Sequence, residues 1–494
     1  MFPELKRYTS FAILLGIVAL GASGLDAVRS THEAQVAAVS SAAAETTNTA
    51  NSVSAELGKL TGSLYQNATA PQNTRAPEAA QLAAASSRAA LMKNLAETNP
   101  AAFLGYALPL TVRAKLSKLV QTQVEEQKTL TGTIDVLHAD DFDHPENSTF
   151  KYFLNVGGKH LSLYAAQDLP ALLSGSELTI KGYQLGDIVV TVGGPAEITV
   201  RKAAKPESVG KQRLLVVLVS RPSGPPTPSP QDMKKLIFSG PFAKFFEEQS
   251  YGKVSFAGDV TDWISFNYPS DHCQTNVLGA FDFDTPEIRA YILEKKIDLA
   301  KYDRAVFVPS PDFYPSCSTL GKQNVLFNGT TYRLSLSWKG WSDSLDVGYP
   351  IPSTFAHVLA HEMGHALGVM HANGWWCFGP SLYENCNHDE YANWFDVMGA
   401  GSLAAHFNAF YKDFLGWLAP KDKKIVTKTG TYTLTPLETA NGVRAIILKN
   451  PAIATGNLAG FSYLEFRQPI GFDATLPADD AGIFINYPFT SAGS

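Results

Sequence analysis

The alternation of apolar and polar residues changes character along the chain and predicts where elements of different type lie. Between residues 130 and 203, short alternating runs separated by turn residues predict a small all-β sandwich or barrel. From Arg213, the continuous apolar run RLLVVLVS is typical of a buried central strand. Strand-type and helix-type patterns then follow one another up to a helix near residue 354, an order that predicts an α+β fold.

These changes of pattern divide the chain into predicted regions. We expect a helix plus a small β domain at 101–204, a mixed twisted sheet with a functional helix at 213–420, and a β-rich region at 421–494. Residues 27–100 are dominated by Ala, Ser, Thr, Asn and Gln, so we predict a low-complexity linker or the disordered start of a propeptide there. Because the sequence stops just after a predicted strand, we expect the last region to be truncated.

The N-terminus has the pattern of an export signal. Lys6 and Arg7 precede the apolar run FAILLGIVALGA, and small residues follow it, which predicts a signal peptide at 1–26. The competing interpretation is an uncleaved anchor, because the uncharged run from Tyr8 to Leu25 approaches the length that spans a bilayer. Either interpretation places the body of the protein outside the cytoplasm, secreted or anchored to the cell envelope. Contact with a membrane is expected only if this segment is retained.

The length and net charge of the chain indicate how many domains it can form and which kinds of partner its charge would favour. Its 494 residues are enough for two or three domains. A net charge of −6 and a pI near 6.0 give no electrostatic basis for binding nucleic acid or anionic membranes. Neither observation predicts an oligomeric state.

The stretch TFAHVLAHEMGHALGVMH at 354–371 carries the most specific candidate chemistry. Its apolar spacing and the start at Pro352 predict a helix. His361 and His365 are four residues apart, so both imidazoles lie on one face of that helix and can reach the same ion. Gly368 can adopt a left-handed conformation, which turns the chain and brings His371 round as a third ligand.

This spacing predicts a Zn²⁺ site with an open fourth position for water. Glu362, next to the first ligand, can reach that water without binding the ion, and is the predicted catalytic base. The alternative is a buried helix whose histidines only fill space. His357 shares the face of the pair, but lies too far along the helix from His365 to bind the same ion, and is predicted to pack.

The four cysteines all lie in the second half of the chain, and in an exported protein an even number suggests disulfides. Three pairings are consistent with the sequence. We favour Cys377–Cys386, which closes a short loop after His371, together with Cys273–Cys317. Cysteine as a zinc ligand is the alternative, although three histidines already suffice.

Other local patterns carry weaker signals. Met398 lies in a predicted tight turn, FDVMGAG. The segment 331–338 is predicted to be an exposed edge strand that could bind substrate by strand addition. Asp140, Asp141 and Asp143 form an acidic cluster, which we predict to be a solvated turn rather than a calcium site or a ligand that blocks the zinc.

The extended histidine motif followed by a turn methionine resembles the metzincin clan of zinc endopeptidases, and more closely the gametolysin-type family with its secreted bacterial relatives. The segments that carry this resemblance are HEMGHALGVMHA at 361–372, DVMGAG at 396–401, FNAFYKDFLGWL at 407–418 and YLEFRQPIGFD at 463–473. The resemblance implies that the three histidines bind zinc, that Glu362 is the general base and that Met398 is the methionine of the Met-turn.

The resemblance also implies that the β module at 130–203, within the 101–204 region, corresponds to a propeptide domain. We expect activation to remove everything before about residue 210. One departure is Ala400, at a position where some metzincins carry a tyrosine that assists the oxyanion. The expected function is a secreted zinc-dependent endopeptidase acting on extended polypeptide in extracellular proteins. The alternatives are a secreted adhesion or binding protein with a relict metal site, and a zinc hydrolase of a non-peptide substrate.

Overall fold

The computed structural model describes most of the chain after residue 51. The described residues are 52–141, 147–222, 227–268, 281–309, 316–341, 354–379, 385–399, 405–449 and 460–487. The predicted signal or anchor segment lies outside these residues, as do Asp143, Cys273 and Ala400. Within the described part, no helix has both the length and the apolar character that crossing a membrane requires.

Contacts divide the chain into two compact units, of which the first comprises residues up to Asn94 together with Leu108–Val124. Its core contains the buried side chains of Leu64, Ala85, Leu116 and Val120. Five helices lie in the first part of the described chain: α1 at 52–69, α2 Glu78–Thr98, α3 Pro100–Tyr106, α4 Leu110–Arg113 and α5 Lys118–Gln121.

The helices of this region correct one prediction. Residues 27–100 were expected to be a structureless linker, yet the described residues 52–69 and 78–98 are helical. Alanine has the highest helix propensity of all residues, so an Ala-rich stretch forms helices although its composition is simple. Within α1 the buried residues are Leu57, Leu64 and Ala68, and within α2 they are Ala85, Met92 and Ala96. In both helices these positions share one face, which allows the helix to pack.

The second unit, Leu95–Ala107 and Glu125–Ser494, contains a large mixed sheet. Its strands are β1 Glu126–Asp140, β2 Thr149–Val156, β3 Lys159–Ala165, β4 Glu177–Leu185, β5 Ile188–Thr191, β6 Ile198–Lys202, β7 Gly210–Ser220, β8 Val254–Val260, β9 Ile264–Ser265, β10 Arg304–Pro309, β11 Ser316–Thr319, β12 Gln323–Phe327 and β13 Thr330–Trp338. They run in the order β6-β4-β5-β3-β2-β1-β11-β13-β10-β7-β8, with β12 beside β13 and β9 beside β7.

Strands β1 to β5 close into a ring, because β1 pairs with both β2 and β4, and β5 joins β3 to β4. Ile134, Leu154, Leu163 and Ile180 belong to the core cluster of this part of the sheet. The alternating pattern at 130–203 therefore corresponds to strands, as predicted. The ring is not separated from the rest of the sheet, since the end of β1 also pairs with β11.

Strand β7, the apolar run that begins near Arg213, lies inside the sheet with parallel neighbours β10 and β8. Its buried positions agree with the prediction of a central strand. The prediction of an exposed edge at 331–338 is wrong for its second half, because residues 335–338 pair with β10 and residues 337–338 also pair with β11. In the first half of β13, residues 330–334 pair with β12. Its polar residues suggested an exposed edge, but Ser335 and Ser337 are buried.

Five more helices are described in this unit, and the fourth of them contains His361, Glu362 and His365 of the predicted site. They are α6 Pro230–Phe238, α7 Pro241–Gln249, α8 Pro286–Glu294, α9 Thr354–Leu367 and α10 Ala409–Phe414. Helix α9 contains the histidine motif and lies against β11, β13 and α7. Its apolar residues, including Phe355, Leu359 and Met363, belong to a buried cluster with β7 and β10.

Two smaller sheets complete the mixed α+β fold. Strands β14 Gly374–Cys377 and β15 Cys386–Asp389 form a hairpin after the histidine motif. Strands β16 Lys423–Val426, β17 Ala445–Lys449, β18 Phe461–Arg467 and β19 Gly482–Asn486 form a four-stranded sheet, so the last region is β-rich as predicted.

Candidate metal centre

Helix α9 places the first two histidines of the motif one turn apart and fixes the orientation of both rings. The Nδ1 atom of His361 lies 2.8 Å from the carbonyl oxygen of Val397, and Nδ1 of His365 lies 2.8 Å from that of Val369. A carbonyl oxygen can only accept, so each Nδ1 carries the hydrogen. The Nε2 atoms are then left with a lone pair, which is how proteins orient histidines that bind metals.

The turn after α9 brings the third histidine back to the same place. Gly368 has a φ of 118°, a conformation that side-chain-bearing residues rarely adopt, as the sequence predicted. The Nδ1 atom of His371 lies 2.8 Å from the Glu390 carboxylate, and its backbone oxygen accepts a hydrogen bond from Tyr411. His371 is therefore anchored through both its ring and its backbone.

The three rings converge on one small volume. Their centroids are 4.9 Å apart for His361 and His365, 5.0 Å for His365 and His371, and 5.2 Å for His361 and His371. Each Nε2 atom faces the carboxylate of Asp140, at 3.7 Å for His361, 3.5 Å for His365 and 2.6 Å for His371. One acidic side chain thus lies at the point that all three rings share.

The position of Asp140 corrects the prediction of a solvated turn. The residue is the last of β1 and is fully buried. Its Oδ1 atom accepts a hydrogen bond from the hydroxyl of Tyr391 at 2.7 Å, and lies 3.0 Å from Nδ1 of His138. Asp141 accepts a bond from Asn147 instead, at 3.3 Å.

A buried group of four residues at this point could hold a metal ion. One donor atom from each of His138, Asp140, His365 and His371 lies within 4.8 Å of the others. This set differs from the predicted one: it includes His138 and Asp140 and omits His361. We still count His361 as part of the centre, because its ring meets both other rings and its Nδ1 anchor matches that of His365. Among the described residues, His357 is not part of this group.

Burial and charge set the protonation of these groups. Burial lowers the pKa of His361 to about 3 and that of His138 to about 4, which favours neutral imidazole. Burial opposes the charged form of His371 as well, but the carboxylates of Asp140 and Glu390 outweigh it and raise its pKa to about 9. Burial alone would raise the pKa of Asp140, yet the imidazoles of His138 and His371 hold it well below its usual range.

Glu362 lies next to the first histidine and is fully buried. Burial, reinforced by the nearby charge of Asp140, raises the pKa of its carboxyl well above the ordinary value. Neither carboxylate oxygen accepts a hydrogen bond from any described residue. Lys339 opposes the rise with its positive charge, and burial lowers the pKa of that lysine to about 8. A carboxylate in this environment is a stronger proton acceptor than one in water.

The turn that contains Met398 lies directly beneath α9. A Cβ atom built on Gly364 would be 2.3 Å from the Met398 sulfur, so only glycine allows this approach. Asp396 holds the turn closed, because its carboxylate accepts from the backbone N–H of Met398 and of Asn408, both at 2.8 Å. The predicted tight turn at Met398 is confirmed, and it also supplies the Val397 oxygen that orients His361.

Sequence reasoning missed several residues of this centre. His138, Glu390 and Tyr391 were not singled out, and Asp140 was assigned to solvent. The available signal was the strand pattern of TGTIDVLHAD at 131–140, which places the side chains of His138 and Asp140 on one face. The pattern does not reveal which element that face meets, so the contact across the fold was not predictable.

The cysteines are described in part. Cys317 is disulfide-bonded and fully buried. Its expected partner, Cys273, lies outside the described residues, so that pairing stays a prediction. Cys377 and Cys386 are directly opposite each other across the β14–β15 hairpin, and their predicted bond also remains a prediction.

No protein-family model matches the chain, and no curated protein is significantly similar to it. The functional argument therefore depends on the geometry of the centre and on the motif itself.

Proposed function

We propose that this protein is a secreted zinc-dependent endopeptidase of the metzincin type, resembling the gametolysin-type family. The observation that carries the proposal is the convergence of the three Nε2 atoms of His361, His365 and His371 on one point, with every Nδ1 held by an acceptor. Structural histidines rarely share this arrangement, whereas catalytic zinc sites require three protein ligands and one open position.

The chemistry of the donor set fits zinc. Three neutral imidazole nitrogens form a common catalytic zinc site, and softer sulfur ligands are not needed. The Nε2 atom of His365 is buried and makes no hydrogen bond to a described residue, as expected of a ligand position. When bound, zinc would lower the pKa of a coordinated water towards 7 and polarise a carbonyl group of the substrate.

Glu362 takes the role of the proton carrier. Its side chain follows the first ligand on α9, and burial favours its uptake of a proton. It would accept the proton of the attacking water and pass it to the leaving amine. Met398 and Asp396 contribute indirectly by fixing the floor of the site and the ring of His361.

Peptide cleavage in extracellular proteins is the reaction that this site and the predicted export signal support best. An extended polypeptide is the proposed substrate. The domain division, with the 101–204 region as propeptide and the 213–420 region as catalytic domain, belongs to the same proposal. We also propose, from the sequence alone, that the protein is exported. The N-terminal segment is then either cleaved as a signal peptide or retained as an anchor in the cell envelope.

The test compares the purified protein, activated by a cut between Lys202 and Glu207, with the variant Glu362→Gln treated in the same way. We expect about one zinc per chain in both proteins by plasma mass spectrometry, and hydrolysis of a denatured protein substrate only where Glu362 is present. Glu287→Gln, an exposed glutamate on α8, is the matched control and should leave hydrolysis unchanged. Substantial hydrolysis by Glu362→Gln would overturn the assignment of the base. Cleavage of esters but not peptides by an activated wild-type protein would overturn the substrate class.

A further inference from the structure

The ring formed by β1 to β5 closes in the order β1-β2-β3-β5-β4, with β3 and β5 parallel and the other neighbours antiparallel. The long strand β1 takes part twice, because residues 126–133 pair with β4 and residues 133–139 pair with β2. This is the strand order of the OB-fold, a small barrel that binds oligosaccharides or oligonucleotides on the face of its second and third strands. The face formed by β2 and β3 is therefore where a ligand of the ring is expected.

A cavity of about 440 Å³ lies at these two strands. It is lined by residues 149–153 of β2, by residues 162–169 of β3 and the loop after it, and by Glu97 and Pro100 at the junction of α2 and α3. All of these residues belong to the second unit. The volume is within the range of cavities that bind small organic molecules.

Side chains from the outer face of the ring reach this cavity. Phe153 and Ser162 are directly opposite each other across β2 and β3, whereas Leu163 belongs to the core inside the ring. Because side chains alternate along a strand, Lys151 and Tyr164 share the outer face with Phe153 and Ser162. The hydroxyl groups of Tyr164 and Ser162 are joined by a hydrogen bond. The wall of the cavity on the ring thus combines an aromatic ring, hydroxyl groups and an amine.

The charges around the cavity select against nucleic acid. Among the described residues that line it, the charged side chains are Glu97, Lys151 and Asp168, so carboxylates outnumber amines. Glu97 is exposed and close enough for its charge to act on Lys151 and Tyr164. Burial lowers the pKa of Lys151 to about 8, which weakens it further as a partner for phosphate. An oligonucleotide needs several cations along its backbone, and this cavity offers one.

The strands themselves select against an extended peptide. A peptide that binds by strand addition needs an unpaired edge. Strand β2 lies between β1 and β3, and β3 lies between β2 and β5, so both strands have neighbours on two sides. A ligand of this cavity therefore has to be recognised by side chains.

We propose that this cavity binds a neutral oligosaccharide, through residues that the metal centre does not use. Sugar hydroxyl groups donate hydrogen bonds to carboxylates such as those of Glu97 and Asp168, and accept them from the amine of Lys151. The ring of Tyr164 offers an apolar surface for the face of a sugar ring, and its hydroxyl a further polar contact. This site goes beyond the proposed peptidase activity, which does not require it.

The experiment uses the full-length chain on an array of neutral oligosaccharides of glucose, mannose, galactose and N-acetylglucosamine. Acidic saccharides and single-stranded oligonucleotides on the same array are the competing ligand classes. We expect the wild type to be retained by at least one neutral oligosaccharide and by neither of the other classes. Calorimetry with the retained oligosaccharide then gives the affinity.

Matched variants locate the binding site. Glu97→Ala should lower the affinity about 10- to 100-fold, the effect of losing a hydrogen bond to a charged group. Glu78→Ala, at an exposed glutamate in the first turn of the same helix, is its control and should bind like the wild type. Tyr164→Phe keeps the ring and loses the hydroxyl, so the affinity should fall only about 2- to 10-fold. Tyr183→Phe on β4 is outside the cavity and should have no effect.

Three results would overturn the proposal. The first is a wild-type chain that no neutral oligosaccharide on the array retains. The second is equal affinity in Glu97→Ala and wild type, since the sugar would then bind elsewhere. The third is stronger retention by an acidic saccharide or an oligonucleotide that Glu97→Ala changes, which would assign the cavity to another class of ligand. None of these measurements depends on peptide hydrolysis, so failure of the proposed peptidase activity would leave the outcome unchanged.

Discussion

The Oδ1 atom of Asp140 lies 2.6 Å from Nε2 of His371, although the two residues are 231 positions apart in the sequence. The contact is buried, and it joins the end of β1 to the loop that follows α9. The contact places the end of β1 in the metal centre. Mutation of either Asp140 or His371 should therefore change metal binding.

Glu390→Gln should weaken metal binding without unfolding the protein. The carboxylate of Glu390 orients His371 and increases its basicity, and loss of such a partner typically reduces metal affinity about 10- to 100-fold. Titration against a competing chelator would measure the change. Glu294→Gln, whose side chain is 76% exposed on α8, is the control. Equal affinity in Glu390→Gln and wild type would contradict the role of Glu390.

Gly364→Ala should destabilise the protein by about 1–3 kcal/mol, the usual result of overpacking a core. The added methyl group would meet the Met398 sulfur beneath α9 and the ring of Phe407. Urea denaturation would measure the loss. Gly58→Ala is the matched control, because Gly58 lies in a helix with no atom near its Cβ position. That control should stabilise by about 0.5–1 kcal/mol; a tolerated Gly364→Ala would mean that α9 and the turn are further apart than described.

Arg467→Met should destabilise the protein by about 3–5 kcal/mol, since it leaves buried carboxylates without their partner. The guanidinium contacts Glu465 at 3.0 Å, Asp473 at 2.7 Å and Glu438 at 3.3 Å, and is itself buried. Thermal unfolding would detect the effect. Arg289→Met, at a partly exposed ion pair on α8, should change stability by less than about 1 kcal/mol. A similar loss of stability in both variants would contradict the role of Arg467 as the partner of the buried carboxylates.

Activation should cut the chain between Lys202 and Glu207. Lys205 in this stretch is exposed, whereas the next residues are tied to the second half of the chain. The backbone oxygen of Glu207 accepts from Arg304 at 2.6 Å, and Ser208 exchanges hydrogen bonds with Leu415 and Trp417, both at 2.8 Å. N-terminal sequencing of the active species would locate the cut. An N-terminus beyond Ser208, or full activity of the uncut chain, would contradict this.

The local parts of the candidate site were predictable because they depend on short spacing. The helix at 354–367, the positive φ at Gly368 and the tight turn at Met398 each follow from neighbouring residues. The convergence of His371 with the other two histidines follows from the same turn. The four-stranded C-terminal sheet and the central strand β7 likewise follow from local hydrophobic pattern.

The parts that were missed depend on which strands pair. An apolar and polar alternation predicts that β1 and β13 are strands, but gives no information on their neighbours. For this reason β13 was placed at an edge, and Asp140 in solvent. The junction of β1 with β11 brings together residues that are 182 positions apart, as in the pair Leu137 and Thr319.

Anomalous diffraction from crystals of the zinc-loaded protein, collected at the zinc absorption edge, tests the central claim most directly. The account predicts one peak about 2.0–2.1 Å from the Nε2 atoms of His361, His365 and His371. No peak at this position, or a peak bound by His138 that leaves out His361, would contradict the account.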